Sequence, residues 1–241
     1  MSDPEHWVRR FRPAPGAATR LLCLPHAGGA AGYYLPVSRA LAPEIDVLAV
    51  QYPGRQDRMT EPLVDSVEQL ADLLVPLLDS YLDRPLRIFG HSLGASVGFE
   101  VARRLEAQGV VPEALFVSGR RAPSRDRDET VHLLDDDGLL AEIRSLAGTD
   151  AAVFDDPELV AMVLPTLRND YRAAETYRYR PGPPLTCPVH ALTGDADPRV
   201  TVEEAGAWAE HTTGEFTLTT FSGGHFYLLD HLPAVLERLA A

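Results

Sequence analysis

The sequence predicts an α/β fold with a mostly parallel, doubly wound sheet. Short apolar runs alternate with amphipathic helical segments, and strands that alternate with helices usually form parallel sheets. A tight glycine-serine-glycine turn at residues 90–94 lies between one of these strands and a helix. The alternation stops between about 121 and 184, where two helical patterns replace it. We therefore expect one domain over residues 1–241, with a helical lid inserted at about 121–184.

Six buried strands are predicted from short runs rich in aliphatic and β-branched residues. They cover residues 20–24, 45–51, 86–89, 114–118, 187–193 and 216–221. Helices are expected over 32–41, 66–82 and 92–108, and Gly109 is typical of the residue that ends a helix. The insertion contains two further helical patterns, at 131–147 and 156–179, each with one apolar face.

Composition and charge exclude several classes of function. The 241 residues are 45% hydrophobic, which is enough for a full core, and the net charge of -13 disfavours nucleic acid and anionic membranes as partners. The N-terminus resembles no signal peptide and no apolar run is long enough to span a membrane, so we expect a cytoplasmic protein. Cys23 and Cys187 fall in predicted strands and are expected to be free thiols. No metal-ligand spacing is present, and no cofactor or metal is expected.

Residues 90–94 match the G-x-S-x-G nucleophile elbow of α/β-hydrolases. The motif requires a strand before it and a helix after it, and both are predicted here. Gly90 and Gly94 allow the strand and the helix to approach closely, which leaves the hydroxyl of Ser92 exposed above the strand ends. Ser92 is therefore the candidate nucleophile, and the fold class is refined to an α/β-hydrolase.

A serine nucleophile needs a base, and the base needs an acid to orient it. In α/β-hydrolases the order along the chain is Ser, acid, His. His225 follows the last predicted strand on a glycine-rich loop and is the candidate base, with His231 as the alternative. Asp195 and Asp197 follow the preceding strand, and spacing alone does not decide between them.

The oxyanion hole requires two backbone N–H groups. One is expected from Leu93, which follows the nucleophile. The other is expected from Ala27, because the glycine-rich turn at residues 25–29 directly follows the first predicted strand.

Seven motifs, in order over nearly the whole chain, resemble those of the stand-alone type II thioesterases of polyketide synthases and nonribosomal peptide synthetases. They are LPHAGG at 24–29, QYPGRQDR at 51–58, FGHSLGA at 89–95, VSGRRAP at 117–123, LRNDY at 167–171, LTGDADP at 192–198 and GGHF at 223–226. The resemblance implies Ser92 as nucleophile, His225 as base and Asp197, rather than Asp195, as acid. A small residue is expected where Asn169 stands, a departure that leaves these three residues unaffected.

The resemblance also implies the substrate and the partner. An acyl or peptidyl carrier protein would present an acyl group on its phosphopantetheine arm, and hydrolysis would remove acyl chains that block the carrier. Carrier binding would be transient, and nothing in the sequence requires more than a monomer. Arg120, Arg121, Arg125 and Arg127 could meet the carrier or its phosphate, or could form a solvated run balanced by Asp126 and Asp128.

Three other functions use the same fold. A general carboxylesterase or lipase would use the same residues on free oxyesters. A chain-terminating thioesterase would cyclise its product, but such domains are usually fused to a synthase. A non-catalytic carrier-binding protein would have a degenerate catalytic set, whereas serine, acid and base are all present here.

Overall fold

A central sheet organises the computed structural model, which describes residues 4–146 and 156–241. Within these residues the sheet has seven strands in the order β1-β3-β2-β4-β5-β6-β7. All neighbouring pairs are parallel except β1 and β3, which are antiparallel. The strands are β1 Val8–Arg9, β2 Thr19–Leu24, β3 Ile45–Val50, β4 Leu86–His91, β5 Ala114–Ser118, β6 Val189–Gly194 and β7 Phe216–Phe221.

Helices cover both faces of this sheet, as the doubly wound prediction requires. The helices of the described residues are α1 Pro4–Trp7, α2 Leu35–Leu41, α3 Val67–Leu78, α4 Leu93–Ala107, α5 Asp136–Ser145, α6 Pro157–Thr176, α7 Val202–Gly206, α8 Tyr227–Asp230 and α9 Leu232–Ala240. In β2, the side chains of Leu22 and Leu24 pack with α3 and α4, whereas those of Leu21 and Cys23 pack on the opposite face with α2, α8 and α9. None of these helices is long and apolar enough to cross a lipid bilayer.

The six predicted strands are all present; β5 and β7 have the predicted ends, and the other four have shifted ends. β4 continues two residues beyond the predicted end and includes His91, because its parallel pairing with β5 extends to Ser118. Conversely, β6 begins at Val189, so Cys187 lies just before the strand, although it is buried and free like Cys23. The prediction of Gly109 as the end of α4 is confirmed, since its φ is +82° and its N–H donates to Glu106 O.

The inserted segment differs from the prediction at its first helix. Instead of one helix over 131–147, a 3-10 turn at Val131–Leu133 precedes α5, and residue 147 lies outside the described residues. The interruption occurs because the Asp135 carboxylate accepts the N–H of Gly138 and starts a new helix there. The second helix, α6, is capped in the same way by Asp156.

Candidate active site

The turn between β4 and α4 has the geometry of a nucleophile elbow. Ser92 adopts φ 54° and ψ −116°, a conformation that is strained for a residue with a side chain. A Cβ added at Gly90 would lie 2.1 Å from the carbonyl oxygen of Gly94, and one added at Gly94 would lie 2.0 Å from that of Leu24. Both glycines are therefore required by close backbone packing, and Ser92 remains half-buried at the end of the strand.

The imidazole of His225 is held by a buried carboxylate. Its Nδ1 lies 2.8 Å from Asp197 Oδ2, and His225 and Asp197 are 4% and 8% exposed. The backbone N–H of Arg199 donates to the other carboxylate oxygen, Oδ1, at 2.8 Å. This second hydrogen bond fixes the carboxylate, so that Nδ1 carries a proton toward Asp197 and Nε2 is left free to accept one.

The alternative acid and base lie in other surroundings. Asp195 is exposed and accepts the backbone N–H of Gly223 at 2.9 Å, while His231 Nε2 lies near Ser222. Neither side chain lines the pocket that contains Ser92 and His225.

Ser92, His225 and Ala27 line one pocket at the carboxyl ends of the parallel strands. Helices α5 and α6 contribute apolar side chains to its wall, among them Ile143 and Leu167. Its polar lining comprises Arg120, Arg121, Glu129, Tyr171, Glu175 and Arg199. The inserted helices therefore border the pocket that contains Ser92.

The two candidate N–H donors belong to Leu93, which follows Ser92, and to Ala27, which lines the same pocket as Ser92. Leu93 is the first residue of α4, and the first N–H groups of a helix have no acceptor within it. Ala27 lies in the turn after β2, where the N–H of Gly29 donates to His26 O at 2.9 Å and closes the turn. This placement is suitable for an oxyanion hole between the two loops.

Two further histidines surround His225, and the sequence analysis assigned neither of them a role. The pKa of His26 is lowered to about 3, mainly by burial and to a smaller extent by the nearby His225 and Arg55. Burial and the same His225 lower the pKa of His91 well below its usual value, and its Nδ1 lies 2.9 Å from Ser118 Oγ. Both rings are therefore neutral at pH 7. Their positions within the LPHAGG and FGHSLGA motifs are the feature of the sequence that could have indicated a place in the site.

The arginines after β5 form ion pairs within the molecule. Arg121 pairs with Glu129, Arg125 with Glu210 and Arg127 with Glu204. Arg120 donates to the carbonyl oxygen of Ala174 at 2.8 Å. The carboxylates that pair with these arginines are thus glutamates, two of which come from distant segments, and not Asp126 and Asp128, which one of the two alternatives named.

Asn169, the departure from the family pattern, donates from Nδ2 to the carbonyl oxygen of Val64 at 2.8 Å. This contact lies outside the group formed by Ser92, Asp197 and His225. Among residues 4–146 and 156–241, no three His, Cys, Asp or Glu side chains are grouped as metal ligands.

Comparisons with known proteins identify the family of this chain. The family model described as thioesterase domain matches residues 19–241. The chain is 56% identical over 230 residues to thioesterase PikA5 of Streptomyces venezuelae, which covers 95% of this chain and 82% of that protein. It is 51% identical over 234 residues to a probable cadicidin biosynthesis thioesterase of Streptomyces griseus, covering 97% of this chain and 65% of that protein.

A solved structure extends this similarity to the whole fold. The type II thioesterase BorB from the borrelidin biosynthetic cluster is 58% identical and superimposes with a TM-score of 0.93, over 100% of this chain and 98% of that one. The parallel sheet, the elbow and the sequence matches agree, and the chain belongs to the thioesterase family of hydrolases.

Proposed function

We propose that this thioesterase hydrolyses acyl groups from the phosphopantetheine arm of acyl or peptidyl carrier proteins. Its role would be to clear aberrant or stalled acyl chains during polyketide or nonribosomal peptide synthesis. The observation that supports this most directly is the buried Asp197–His225 hydrogen bond at the pocket that contains the strained Ser92. The high identity to biosynthetic thioesterases supports the substrate class.

In the first half-reaction, His225 Nε2 accepts the proton of Ser92 Oγ while Oγ attacks the thioester carbonyl carbon. The carbonyl oxygen becomes negatively charged and accepts hydrogen bonds from the N–H groups of Leu93 and Ala27. The tetrahedral intermediate then expels the pantetheine thiol, which takes the proton from the His225 imidazolium. The acyl group remains on Ser92 as an ester.

In the second half-reaction, His225 removes a proton from water, and the hydroxide attacks the acyl-serine carbonyl. Collapse of this intermediate releases the carboxylic acid and returns the proton to Ser92 Oγ. Serine, imidazole, carboxylate and water supply all the groups that these steps need. We therefore propose that the enzyme uses no cofactor or metal of its own.

Release of acyl groups from a phosphopantetheinylated carrier protein tests this function. Acetyl, propionyl and longer acyl loads are followed by intact mass, with wild type beside Ser92→Ala and an oxyester of matched length as control. We expect wild type to deacylate the carrier and Ser92→Ala to be slower by about 10³-fold or more, because the nucleophile is absent.

Each of the other outcomes would indicate a different function for this protein. Oxyester cleavage with an unchanged acyl-carrier would indicate a general esterase. A cyclised product would indicate a chain-terminating enzyme, and no turnover of either substrate would indicate a binding protein. We further propose that the enzyme is a cytoplasmic monomer and that it binds its carrier transiently. Light scattering with and without carrier measures the oligomeric state and the binding.

A further inference from the structure

A buried ion pair joins helix α6 to the segment that follows β3. Arg55 Nη1 donates to Asp170 Oδ2 at 2.8 Å, and Arg55 Nη2 donates to Oδ1 at 2.9 Å. The two residues are 7% and 1% exposed. Replacing such a pair with apolar side chains is often neutral or even stabilising, so stability alone does not account for it.

Both members of this pair also hold the backbone of the turn after β2. The N–H of Gly28 donates to Asp170 Oδ2 at 2.8 Å, and Arg55 Nη1 donates to the carbonyl oxygen of Gly29 at 2.9 Å. Gly28 has a φ of +75°, and a Cβ added there would lie 2.3 Å from Leu167 Cδ2 on the same helix. The turn is therefore fixed against α6 at the two residues that follow Ala27.

The orientation of the Ala27 N–H depends on this turn. That N–H belongs to the same planar peptide unit as the carbonyl of His26, so the two groups point in opposite directions. The N–H of Gly29 donates to His26 O at 2.9 Å. Holding Gly28 and Gly29 in place consequently fixes the peptide plane of His26 and Ala27.

We propose that Asp170 is a positioning residue for the oxyanion hole. Together with Arg55 it orients the turn at residues 26–29 so that the Ala27 N–H points at the developing oxyanion. This inference rests on the proposed role of Ala27. Preorganised donors stabilise a transition state because they need no rearrangement during the reaction, and a misplacement of about 1 Å can reduce the rate about 10²-fold.

A matched control for Asp170 exists elsewhere in the molecule. Asp46 is also buried, forms ion pairs with Arg10 and Arg20, and accepts a backbone N–H from Ala14. It lies near the start of β3, whereas the candidate site lies at the opposite ends of the strands. Asp46→Asn therefore disturbs a buried aspartate–arginine cluster without affecting the turn at 26–29.

The experiment measures kcat and KM of Asp170→Asn and Asp46→Asn with a p-nitrophenyl ester and with an acyl-N-acetylcysteamine thioester. We expect kcat of Asp170→Asn to fall about 10-fold or more, with KM nearly unchanged, because the lost interaction acts in the transition state. Thermal denaturation should show that both variants are folded, and Asp46→Asn should retain wild-type kcat. Equal kcat values for wild type and both folded variants would overturn the proposal.

A boronic acid that forms a tetrahedral adduct on Ser92 provides a second readout, because its oxygen occupies the oxyanion hole. Its affinity should fall by the same factor as kcat in Asp170→Asn, and an unchanged affinity would contradict the proposal. If Asp170→Asn does not fold, the double variant Arg55→Leu/Asp170→Leu removes both charges together and is measured instead. Neither assay contains a carrier protein, so a failure of the carrier-hydrolysis proposal leaves this result interpretable.

Discussion

Asp197 and Asp195 lie two residues apart after β6 but have different surroundings. Asp197 is buried against His225, whereas Asp195 is exposed and accepts a backbone N–H from Gly223. Asp197→Asn would place an amide beside His225 Nδ1 and allow the imidazole to adopt the tautomer in which Nε2 carries the proton. That tautomer cannot accept the proton of Ser92, so we expect kcat to fall about 10⁴-fold.

Steady-state kinetics of the two asparagine variants is the measurement for this prediction. Asp195→Asn also removes one negative charge, two residues away, and should retain activity close to wild type. Similar losses in both variants, or a larger loss in Asp195→Asn, would show that Asp197 is not the acid. Sequence spacing left both aspartates open, because two loop residues before a proline give no information on which carboxylate faces the imidazole.

At the scale of elements, close backbone contacts leave no room for a side chain at Gly94, where β4 meets α4. A Cβ at Gly94 would lie 2.0 Å from Leu24 O and 2.8 Å from Pro25 O, which are backbone atoms that no rotamer change can move. Gly94→Ala should therefore reduce the free energy of unfolding by about 3 kcal/mol or more. It should also lower kcat, since Leu24 and Pro25 lead into the turn that contains Ala27.

Urea unfolding and ester hydrolysis of Gly94→Ala test this prediction, with Gly16→Ala as the control. A Cβ at Gly16 meets nothing within 4 Å, and its φ is not positive. That variant should unfold within about 1 kcal/mol of wild type. A Gly94→Ala enzyme as stable and active as the control would show that the junction can relax.

The elements that local patterns specify were predicted well, and those that depend on distant partners were not. Six strands and the elbow follow from short apolar runs and glycines, whose effects are local. The two-residue strand β1 was missed because its pairing with β3, rather than any periodicity, defines it. The break at Asp135 in the predicted 131–147 helix is an N-cap signal that apolar periodicity alone does not reveal.

The Arg55–Asp170 pair shows the same limit within the candidate site. Both residues lie in motifs that were recognised, but they are 115 residues apart, and periodicity shows which face a residue occupies rather than which partner it meets. By contrast, Ser92, His225 and Ala27 each follow a strand whose carboxyl end lies at the same edge of the sheet, so chain order brought them together.

At the scale of the whole molecule, histidines with lowered pKa values contribute to the dependence of stability on pH. Burial lowers the pKa of His26 to about 3 and also lowers those of His91, His190 and His211. As the pH falls below about 6.5, the unfolded chain therefore binds protons at these residues more readily than the folded protein does. For His26, the stabilising effect of keeping the ring neutral is complete above about pH 6.5 and is lost progressively as the pH falls toward 3.

His26→Phe isolates one of these groups. The ring lies edge-on to those of Tyr33 and Phe226, and its Nδ1 has no hydrogen-bond partner among the described residues, so an apolar ring fits the site. Between pH 6 and 4 the slope of unfolding free energy against pH should decrease by about 1.4 kcal/mol per pH unit, the contribution of one proton. Urea titrations at several pH values measure this slope, with His6→Gln on the exposed face of α1 as the control. An unchanged slope in His26→Phe would mean that the folded protein already binds a proton at His26 between pH 6 and 4, and would contradict the lowered pKa of this residue.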